Sequence, residues 1–302
     1  MNKNLRVAFN FNAILMEGLH WDESKNLLWG VDIHGKLLWS WNLRDFLPTM
    51  WEFDQKISWI IPIKNSENLL LGLQNGIGIS NRYKPNVYNI LINLFTHDNS
   101  MRLNDAKADV NGNIWTGSLN NDDENKEDGK LYKFSYSGIL SELDFNYKVT
   151  NGPAINPKNN VFFHNDSGKK VIYSLKFNSN NSNISSKKKW KVFDEKSGYP
   201  DGMCFDSDGN LWVAHWGGNK VSCLSPNGEL LKSFDMPAKN VTNVCFAGKN
   251  LERLFVSTAK DKVLENKKIK HDLNGALFEI ISPGACGLKT FSANEKFSHL
   301  IN

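Results

Sequence analysis

A sequence unit that recurs six times restricts this chain to a small number of folds. In its clearest copy, residues 201–213, an acidic residue opens an apolar run that leads through an Asp-Gly turn into a second apolar run. The residue that opens the second run marks each copy, and these residues are Leu28, Leu70, Trp115, Phe162, Trp212 and Phe255. They lie 42 to 50 residues apart, a period shared by β-propeller blades and helical repeats.

The pattern inside the copies favours strands over helices. Residues 37–43 and 171–178 alternate apolar with polar or outward-facing positions and are rich in aromatic and β-branched side chains, which is typical of strands. Asp208-Gly209 between two apolar runs predicts a hairpin turn. We therefore predict an all-β, six-bladed β-propeller that forms a single domain over residues 1–302. We expect residues 5–12 to complete a blade with the C-terminal strands, because an open ring would leave unpaired edges.

Composition and charge exclude several classes of partner. The chain has 302 residues, 40% hydrophobic and 23% charged, with a formal net charge of +4. Because no dense Lys/Arg stripe with interleaved aromatic residues occurs, we expect no nucleic-acid partner. The basic run at residues 187–191 is interpreted as a solvated hairpin tip. No apolar stretch reaches the roughly 18 residues of a membrane span, so we expect no membrane association.

Cysteine usage and the N-terminus predict a cytoplasmic location. Residues 1–10 lack the apolar core of a secretory signal. The cysteines lie far apart without a C-x-x-C pair, which indicates buried thiols in a reducing compartment; they are Cys204, Cys223, Cys245 and Cys286. We expect a monomer or a weak homo-oligomer.

Four polar residues occupy one equivalent position of the repeat. Each stands eleven residues before the marker residue of its copy, and they are Glu17, Asn104, Asn151 and Asp201. Equivalent positions of a propeller lie on one ring around its axis, so we expect these side chains to converge. In the second copy the position falls on Trp59, and in the sixth, which has a longer turn, it falls near Thr242.

The pair of acids on this ring predicts a cation site. Two carboxylates 4 Å apart repel each other by roughly 4 kcal/mol at an effective dielectric of 20, and a divalent cation removes that cost. Two carboxylates with an amide carbonyl form an all-oxygen set, which suits Ca²⁺, Mg²⁺ or Mn²⁺. Arg102 lies two residues before Asn104 on the same strand face, where its guanidinium can bind a substrate hydroxyl or carboxylate.

A structural role is the alternative interpretation, because Asp and Asn before a strand often only stabilise turns. The identical offset of four such residues argues against it for the set. It remains the preferred interpretation for a second recurring series, five residues further on, which consists of Asp22, Asp109 and Asp206.

These motifs together resemble the senescence-marker-protein, gluconolactonase and regucalcin family of six-bladed propeller lactonases. The resemblance covers nearly the whole chain and is carried by residues 17–22, 102–105, 150–152, 200–204 and 245–250. It implies that Glu17, Asn151 and Asp201 hold one divalent metal ion, with Ca²⁺, Mg²⁺, Mn²⁺ and Zn²⁺ all left open. It further implies that Asp201 is the general base and that Arg102 and Asn104 bind the substrate.

Two positions depart from the family pattern or match it loosely. Leu19 stands where the family usually has a proline. A family acid that helps to bind the sugar has its best counterpart in Asp122, within the polar loop at residues 120–129. That loop is either a solvated excursion or a lid over the site.

The function expected from these residues is the metal-dependent hydrolysis of a sugar lactone, of the gluconolactone or pentonolactone type, to its aldonic acid. A paraoxonase-like esterase is the first alternative, although Arg102 and Asn104 favour a polyhydroxylated substrate. A non-catalytic calcium-binding protein like regucalcin is the second, and a propeller scaffold for other proteins is the third. The pair formed by Glu17 and Asp201 argues against a scaffold, which needs no acids on its ring.

Overall fold

The computed structural model describes residues 4–45, 47–96, 98–156, 158–260 and 272–301. Its strands form six sheets of four antiparallel strands each, which confirms the predicted all-β six-bladed propeller. Among these residues, no helix is long and apolar enough to cross a membrane.

Blades 1 to 3 each consist of four consecutive strands. Blade 1 contains β2 (Met16–Asp22), β3 (Leu27–Asp32), β4 (Leu37–Asn42) and β5 (Thr49–Glu52). Blade 2 contains β6 (Ile57–Pro62), β7 (Asn68–Leu73), β8 (Gly76–Asn81) and β9 (Tyr88–Asn93). Blade 3 contains β10 (Met101–Ala108), β11 (Ile114–Asn120), β12 (Gly129–Phe134) and β13 (Leu140–Tyr147).

Blades 4 and 5 repeat this order, and blade 6 combines both ends of the chain. Blade 4 contains β14 (Thr150–Asn156), β15 (Val161–Asp166), β16 (Val171–Asn178) and β17 (Asn183–Val192). Blade 5 contains β18 (Tyr199–Phe205), β19 (Leu211–Trp216), β20 (Lys220–Leu224) and β21 (Leu230–Asp235). Blade 6 contains β22 (Asn240–Ala247), β23 (Arg253–Ala259), β24 (Leu277–Ile280) and, at its outer edge, β1 (Leu5–Phe9). Two short 3₁₀ helices are Glu195–Ser197 and Glu295–Ile301.

The ring closes through the N-terminal strand, as the sequence predicts. β1 pairs antiparallel with β24, with Leu5 opposite Ile280. The inner strand of each blade contacts the inner strand of the next, and β2 contacts β22 to complete the circle. All six inner strands therefore point their first residues at one end of the central channel, the upper end, and their last residues at the lower end.

Hydrophobic packing between the blades explains the apolar runs of the second strands of the blades. Leu69, Leu70 and Leu71 on β7 are completely buried because both faces of the strand are covered. Outer strands are exposed on one face, and the basic run at residues 187–191 lies on the outer strand β17. The prediction of a hairpin tip is therefore wrong. The lysines lie on an exposed edge strand, and their run masks the apolar alternation that indicates a strand in the sequence.

The chain beyond β24 runs across the lower end of the propeller, and we call residues 281–297 the C-terminal strap. Leu288 N donates to Phe205 O at 3.0 Å, and Ala293 forms a bridge with Ile63 on the opposite side of the ring. Cys286 in the strap is exposed, whereas Cys223 and Cys245 are buried and Cys204 is partly buried. The expectation of four buried thiols is wrong for Cys286, because the strap lies on the surface.

The second series of aspartates stabilises turns. Asp206 accepts hydrogen bonds from the backbone N–H groups of Asp208 (3.1 Å) and Asn210 (2.8 Å). It also accepts from the indole Nε1 of Trp212 at 2.9 Å. The same indole bond links Trp115 to Asp109. Asp109 and Asp206 each bind the indole of the marker Trp in the following strand. This bond explains why each lies at the same distance in sequence from its marker residue.

Replacement of Asp206 by Ala should reduce the free energy of unfolding by about 2–4 kcal/mol, because buried donors lose a charged acceptor. Thermal unfolding measures this loss. Asp208→Ala, at an exposed position of the same turn, is the matched control and should change stability by less than about 0.5 kcal/mol. Equal loss in both variants would contradict the assignment of Asp206 as the residue that fastens the turn.

Candidate functional site

A cavity of about 670 Å³ opens at the upper end of the channel. It is lined by the first residues of the inner strands and by turns that follow the second strands of several blades. Its polar lining includes Glu17, Arg102, Asn104, Asn151, Ser167 and Asp201. The structure therefore brings together the four predicted ring residues and Arg102, and each of these five side chains is buried.

Local bulges in the inner strands position the ring residues. In each of blades 1, 3, 4 and 5, the inner strand has one residue more than the second strand with which it pairs, close to the ring residue. The irregular segments lie between Glu17 and His20, Leu103 and Ala106, Asn151 and Ala154, and Pro200 and Met203. A bulge bends the strand and re-aims its side chains, so the ring residues point into the channel end.

An amide network joins three neighbouring blades. Asn104 Nδ2 donates to Thr150 O at 2.6 Å and to Asn151 Oδ1 at 2.8 Å. Asn151 Nδ2 donates to Ser167 Oγ at 3.0 Å, and that hydroxyl donates to Pro200 O at 2.6 Å. The chain of bonds runs from blade 3 to blade 5 and fixes the amide of Asn151 beside Asp201.

Arg102 forms the blade 3 side of the site. Its Nη1 donates to Asn104 Oδ1 and Leu103 O, and its Nε donates to Asn121 Oδ1 at 3.2 Å. Burial lowers the pKa of Arg102 to about 10, while the nearby carboxylates, led by Glu124, act in the opposite direction. The guanidinium therefore stays charged at neutral pH in a largely dry environment.

Glu17 and Asp201 form a buried pair of acids with altered pKa values. Burial raises the pKa of Glu17 from 4.5 to about 8, with a further contribution from Asp105, and hydrogen bonds from Asn243 and Gly18 N lower it only in part. Burial also raises the pKa of Asp201 well above its usual range, and the Glu17 carboxyl is the next cause. Without a cation, this pair is costly to ionise.

These donors fit a divalent cation. Asp201 Oδ1 is buried and has no hydrogen-bond partner among the residues that the structure describes, and Asp201 lines the cavity. In the described part of the chain, no cluster of three or more His, Cys, Asp and Glu side chains has the arrangement of a metal site. A third protein ligand next to Glu17 and Asp201 would therefore be an amide oxygen, and Asn151 lines the same cavity.

The polar loop after β11 reaches the cavity with residues other than the predicted one. Glu124 and Asn125 line the cavity, and Asp122 is not among its lining residues. Asn121 anchors the loop because its Oδ1 also accepts from Lys56 Nζ at 2.8 Å. Loop residues cannot be aligned from repeat spacing, because the loop lies outside the repeat. Glu124 is the acid of this loop that lines the cavity.

The two copies without predicted ligands contribute packing. Trp59 is buried and donates from Nε1 to Thr116 Oγ1 at 3.0 Å. A Cβ on Gly72 would lie 2.1 Å from the same indole, so glycine is required beside it. In blade 6, Thr242 donates to Met16 O.

Three residues beside the ring escaped the sequence analysis, and they are the buried Asp105 and Asn243 and the half-buried Lys107. Asn243 Nδ2 donates to Glu17 Oε2 at 2.9 Å and to Asp105 Oδ2 at 3.2 Å. Lys107 Nζ lies 3.7 Å from Asp105 Oδ1. The strand register shows that Thr242 is the ring position of blade 6, and Asn243 lies one residue beyond it, as Asp105 lies one residue beyond Asn104 in blade 3. A polar Asn within the apolar run at 241–247 was the available signal.

The fold and the site define a six-bladed β-propeller with an acidic, oxygen-rich ligand set at the upper end of its channel. The chain belongs to the SMP-30/gluconolactonase/LRE-like family, whose sequence profile matches residues 15–260. The resemblance inferred from the motifs is thereby confirmed.

Known relatives share most of the chain. A Bacillus subtilis (strain 168) protein, provisionally named a sugar lactone lactonase, is 27% identical over 88% of this chain and 90% of its own length. Pentonolactonase XacC of Haloferax volcanii is 28% identical over 61% of this chain and 63% of its own length. The crystal structure of the calcium-binding protein regucalcin from Agrobacterium tumefaciens has a TM-score of 0.88 at 19% identity, covering 96% of both chains, and shares the fold.

The raised pKa values predict how the metal-free protein responds to pH. Between about pH 4.5 and pH 8 the folded state keeps a proton on Glu17 that the unfolded state releases. The free energy of unfolding should therefore fall as pH rises through this window, by on the order of a few kcal/mol. Melting temperatures at pH 5 and pH 8 measure the effect.

A divalent cation should restore stability at pH 8 more than at pH 5, because it favours the ionised acids. Glu17→Gln removes the titrating group and should flatten the pH dependence. The melting temperature of the metal-free wild type should fall more between pH 5 and pH 8 than that of Glu17→Gln. An equal change in both proteins would contradict the raised pKa of Glu17.

Proposed function

We propose that this protein hydrolyses a sugar lactone to its aldonic acid with the help of one divalent cation. The observation that carries the proposal is the buried pair Glu17 and Asp201, which shares one cavity with an amide network and a charged arginine. The names of the Bacillus and Haloferax relatives support a lactone substrate of the gluconolactone or pentonolactone type.

Glu17, Asn151 and Asp201 would hold the cation through oxygen atoms, a set that suits Ca²⁺, Mg²⁺ or Mn²⁺. When bound, the cation would polarise the lactone carbonyl and stabilise the negative charge that develops on its oxygen. The hydrogen bonds around Asn151 keep its amide in place before substrate arrives, so no reorganisation is needed during the reaction.

Asp201 is the proposed general base. Its free Oδ1 can accept a proton from the attacking water. The water oxygen then forms a bond to the carbonyl carbon, the bond from that carbon to the ring oxygen breaks, and the ring oxygen takes up the proton. Because burial raises the pKa of Asp201, the ionised form needs positive charge nearby, and the base is therefore coupled to the cation.

Arg102 and Asn104 are proposed to bind the hydroxyl groups of the sugar. The internal bonds of Arg102 use Nε and Nη1, which leaves Nη2 outside these contacts. Glu124 at the cavity edge takes the place expected for Asp122 and offers a further acceptor for a hydroxyl group. These groups favour a polyhydroxylated lactone over an apolar ester.

Proton release from a panel of aldonolactones tests the reaction, using protein stripped of metal and then refilled with Ca²⁺, Mg²⁺, Mn²⁺ or Zn²⁺. Asp201→Asn should lower kcat by at least about a hundredfold, since a general base contributes 10²–10⁴-fold. Asp208→Asn, an exposed change of the same type, should leave kcat unchanged. Hydrolysis of apolar esters alone would favour the esterase alternative. A folded, metal-loaded protein that hydrolyses neither class would contradict an enzymatic function.

Arg102→Lys should lower kcat/KM for gluconolactone about tenfold to a hundredfold, mainly through KM, because lysine cannot reproduce the planar fork of donors. An unsubstituted lactone of similar ring size provides the internal comparison and should lose much less. An equal loss for both substrates would show that Arg102 does not act on the sugar hydroxyl groups.

A further inference from the structure

A second layer of polar side chains lies next to the ring acids, and two of its members are buried while Lys107 is half-buried. It consists of Asp105, Lys107 and Asn243, from blades 3 and 6, and Asn243 is completely buried. None of these residues lines the upper cavity among the residues described for it. Of the three, Asn243 is hydrogen-bonded to a ring acid, so a role in the site would act through Glu17.

The amide of Asn243 bridges two carboxylates. Both N–H groups of Nδ2 are engaged, one by Glu17 Oε2 at 2.9 Å and one by Asp105 Oδ2 at 3.2 Å. Glu17 Oε2 also accepts from Gly18 N at 3.1 Å. One oxygen of Glu17 is thus held by two donors, Asn243 Nδ2 from blade 6 and Gly18 N from its own strand.

Asp105 and Lys107 fix the direction of this amide. Lys107 Nζ lies 3.7 Å from Asp105 Oδ1, so the ammonium supplies a resident positive charge under the acids. Lys107 also lines a small cavity of about 60 Å³ toward the lower end of the channel, where Phe291 of the C-terminal strap forms part of the wall. With a carboxylate on each side, Asn243 must present its donor atoms, and not its carbonyl, to Glu17.

The space for Asn243 depends on Gly202, the residue after Asp201. A Cβ at Gly202 would lie 2.4 Å from both Cγ and Nδ2 of Asn243. A distance this short requires the amide to move. Asn243 is therefore packed against the segment that carries Asp201 while it is hydrogen-bonded to Glu17, and it contacts both acid-bearing segments of the site.

We propose that Asn243 is a positioning residue that orients the Glu17 carboxylate for the divalent cation, with Gly202 providing the space for it. The inference rests on the proposed function, which places that cation at Glu17, Asn151 and Asp201. Partners that orient metal ligands typically contribute 10- to 100-fold to metal affinity. The effect belongs to cation binding and does not require turnover to be observed.

Titration of the metal-free protein with Mn²⁺, followed by the electron paramagnetic resonance signal of the free ion, gives the dissociation constant directly. Asn243→Leu keeps the branched shape of the side chain and removes the donors, and Gly202→Ala displaces the same amide without changing it. Both should weaken Mn²⁺ binding about 10- to 100-fold. Asn113→Ala is the matched control, because Asn113 is a buried asparagine that donates to Asp109 in a turn remote from the cavity. It should reduce stability and leave Mn²⁺ affinity within about twofold.

The outcomes separate this inference from the proposed function. If Asp201→Asn binds Mn²⁺ as tightly as the wild type, the cation does not occupy this site and the proposed function fails. If Asp201→Asn loses Mn²⁺ while folded Asn243→Leu and Gly202→Ala retain wild-type affinity, only the role of Asn243 is overturned.

A crystal structure of the wild-type protein with Mn²⁺ supplies a test that needs no variant to fold. We expect Asn243 Nδ2 to remain within hydrogen-bond distance of the Glu17 carboxylate. An amide turned away from Glu17 in the loaded protein would refute the inference.

Discussion

The buried pair of acids, Glu17 and Asp201, is the constraint on which the rest of this structure depends. The two side chains converge only because six blades close into a ring. At the upper end of the channel both carboxyls are removed from water. Burial raises both pKa values, with a further contribution from Asp105 for Glu17 and from Glu17 for Asp201. Such a pair opposes folding in its ionised form, and the surrounding amides, the buried arginine and the proposed cation would offset that cost.

The propeller supplies this arrangement through two features of its backbone. Bulges in the inner strands turn the ring residues toward the axis, at the same level in blades 1, 3, 4 and 5. Pairing of β1 with β24 closes the ring, which fixes the distance between blades 1 and 5 and hence between the two acids. The C-terminal strap covers the lower end of the central channel, so the polar side chains of the channel face the cavity at its upper end.

Sequence reasoning succeeded where one blade is a copy of another. The marker residues, the turn aspartates such as Asp206 and the ring position all follow from the geometry of a single hairpin, and that geometry is local. It failed where the chain departs from the repeat. The loop at residues 120–129 presents Glu124 instead of Asp122 to the cavity, and Asn243 lies one residue beyond the ring position of blade 6, where the repeat alignment marks no residue.

The sequence by itself therefore determined the fold class, the closure of the ring, the four ring residues and the likeness to one family. It did so because hairpin register and strand alternation are set by residues close together in the chain. Only the tertiary structure decided which side chains support the acids. Contacts such as those of Asn243 with Glu17 and Asp105 join blades 6, 1 and 3, and their distances depend on ring closure and loop length, which no local pattern encodes.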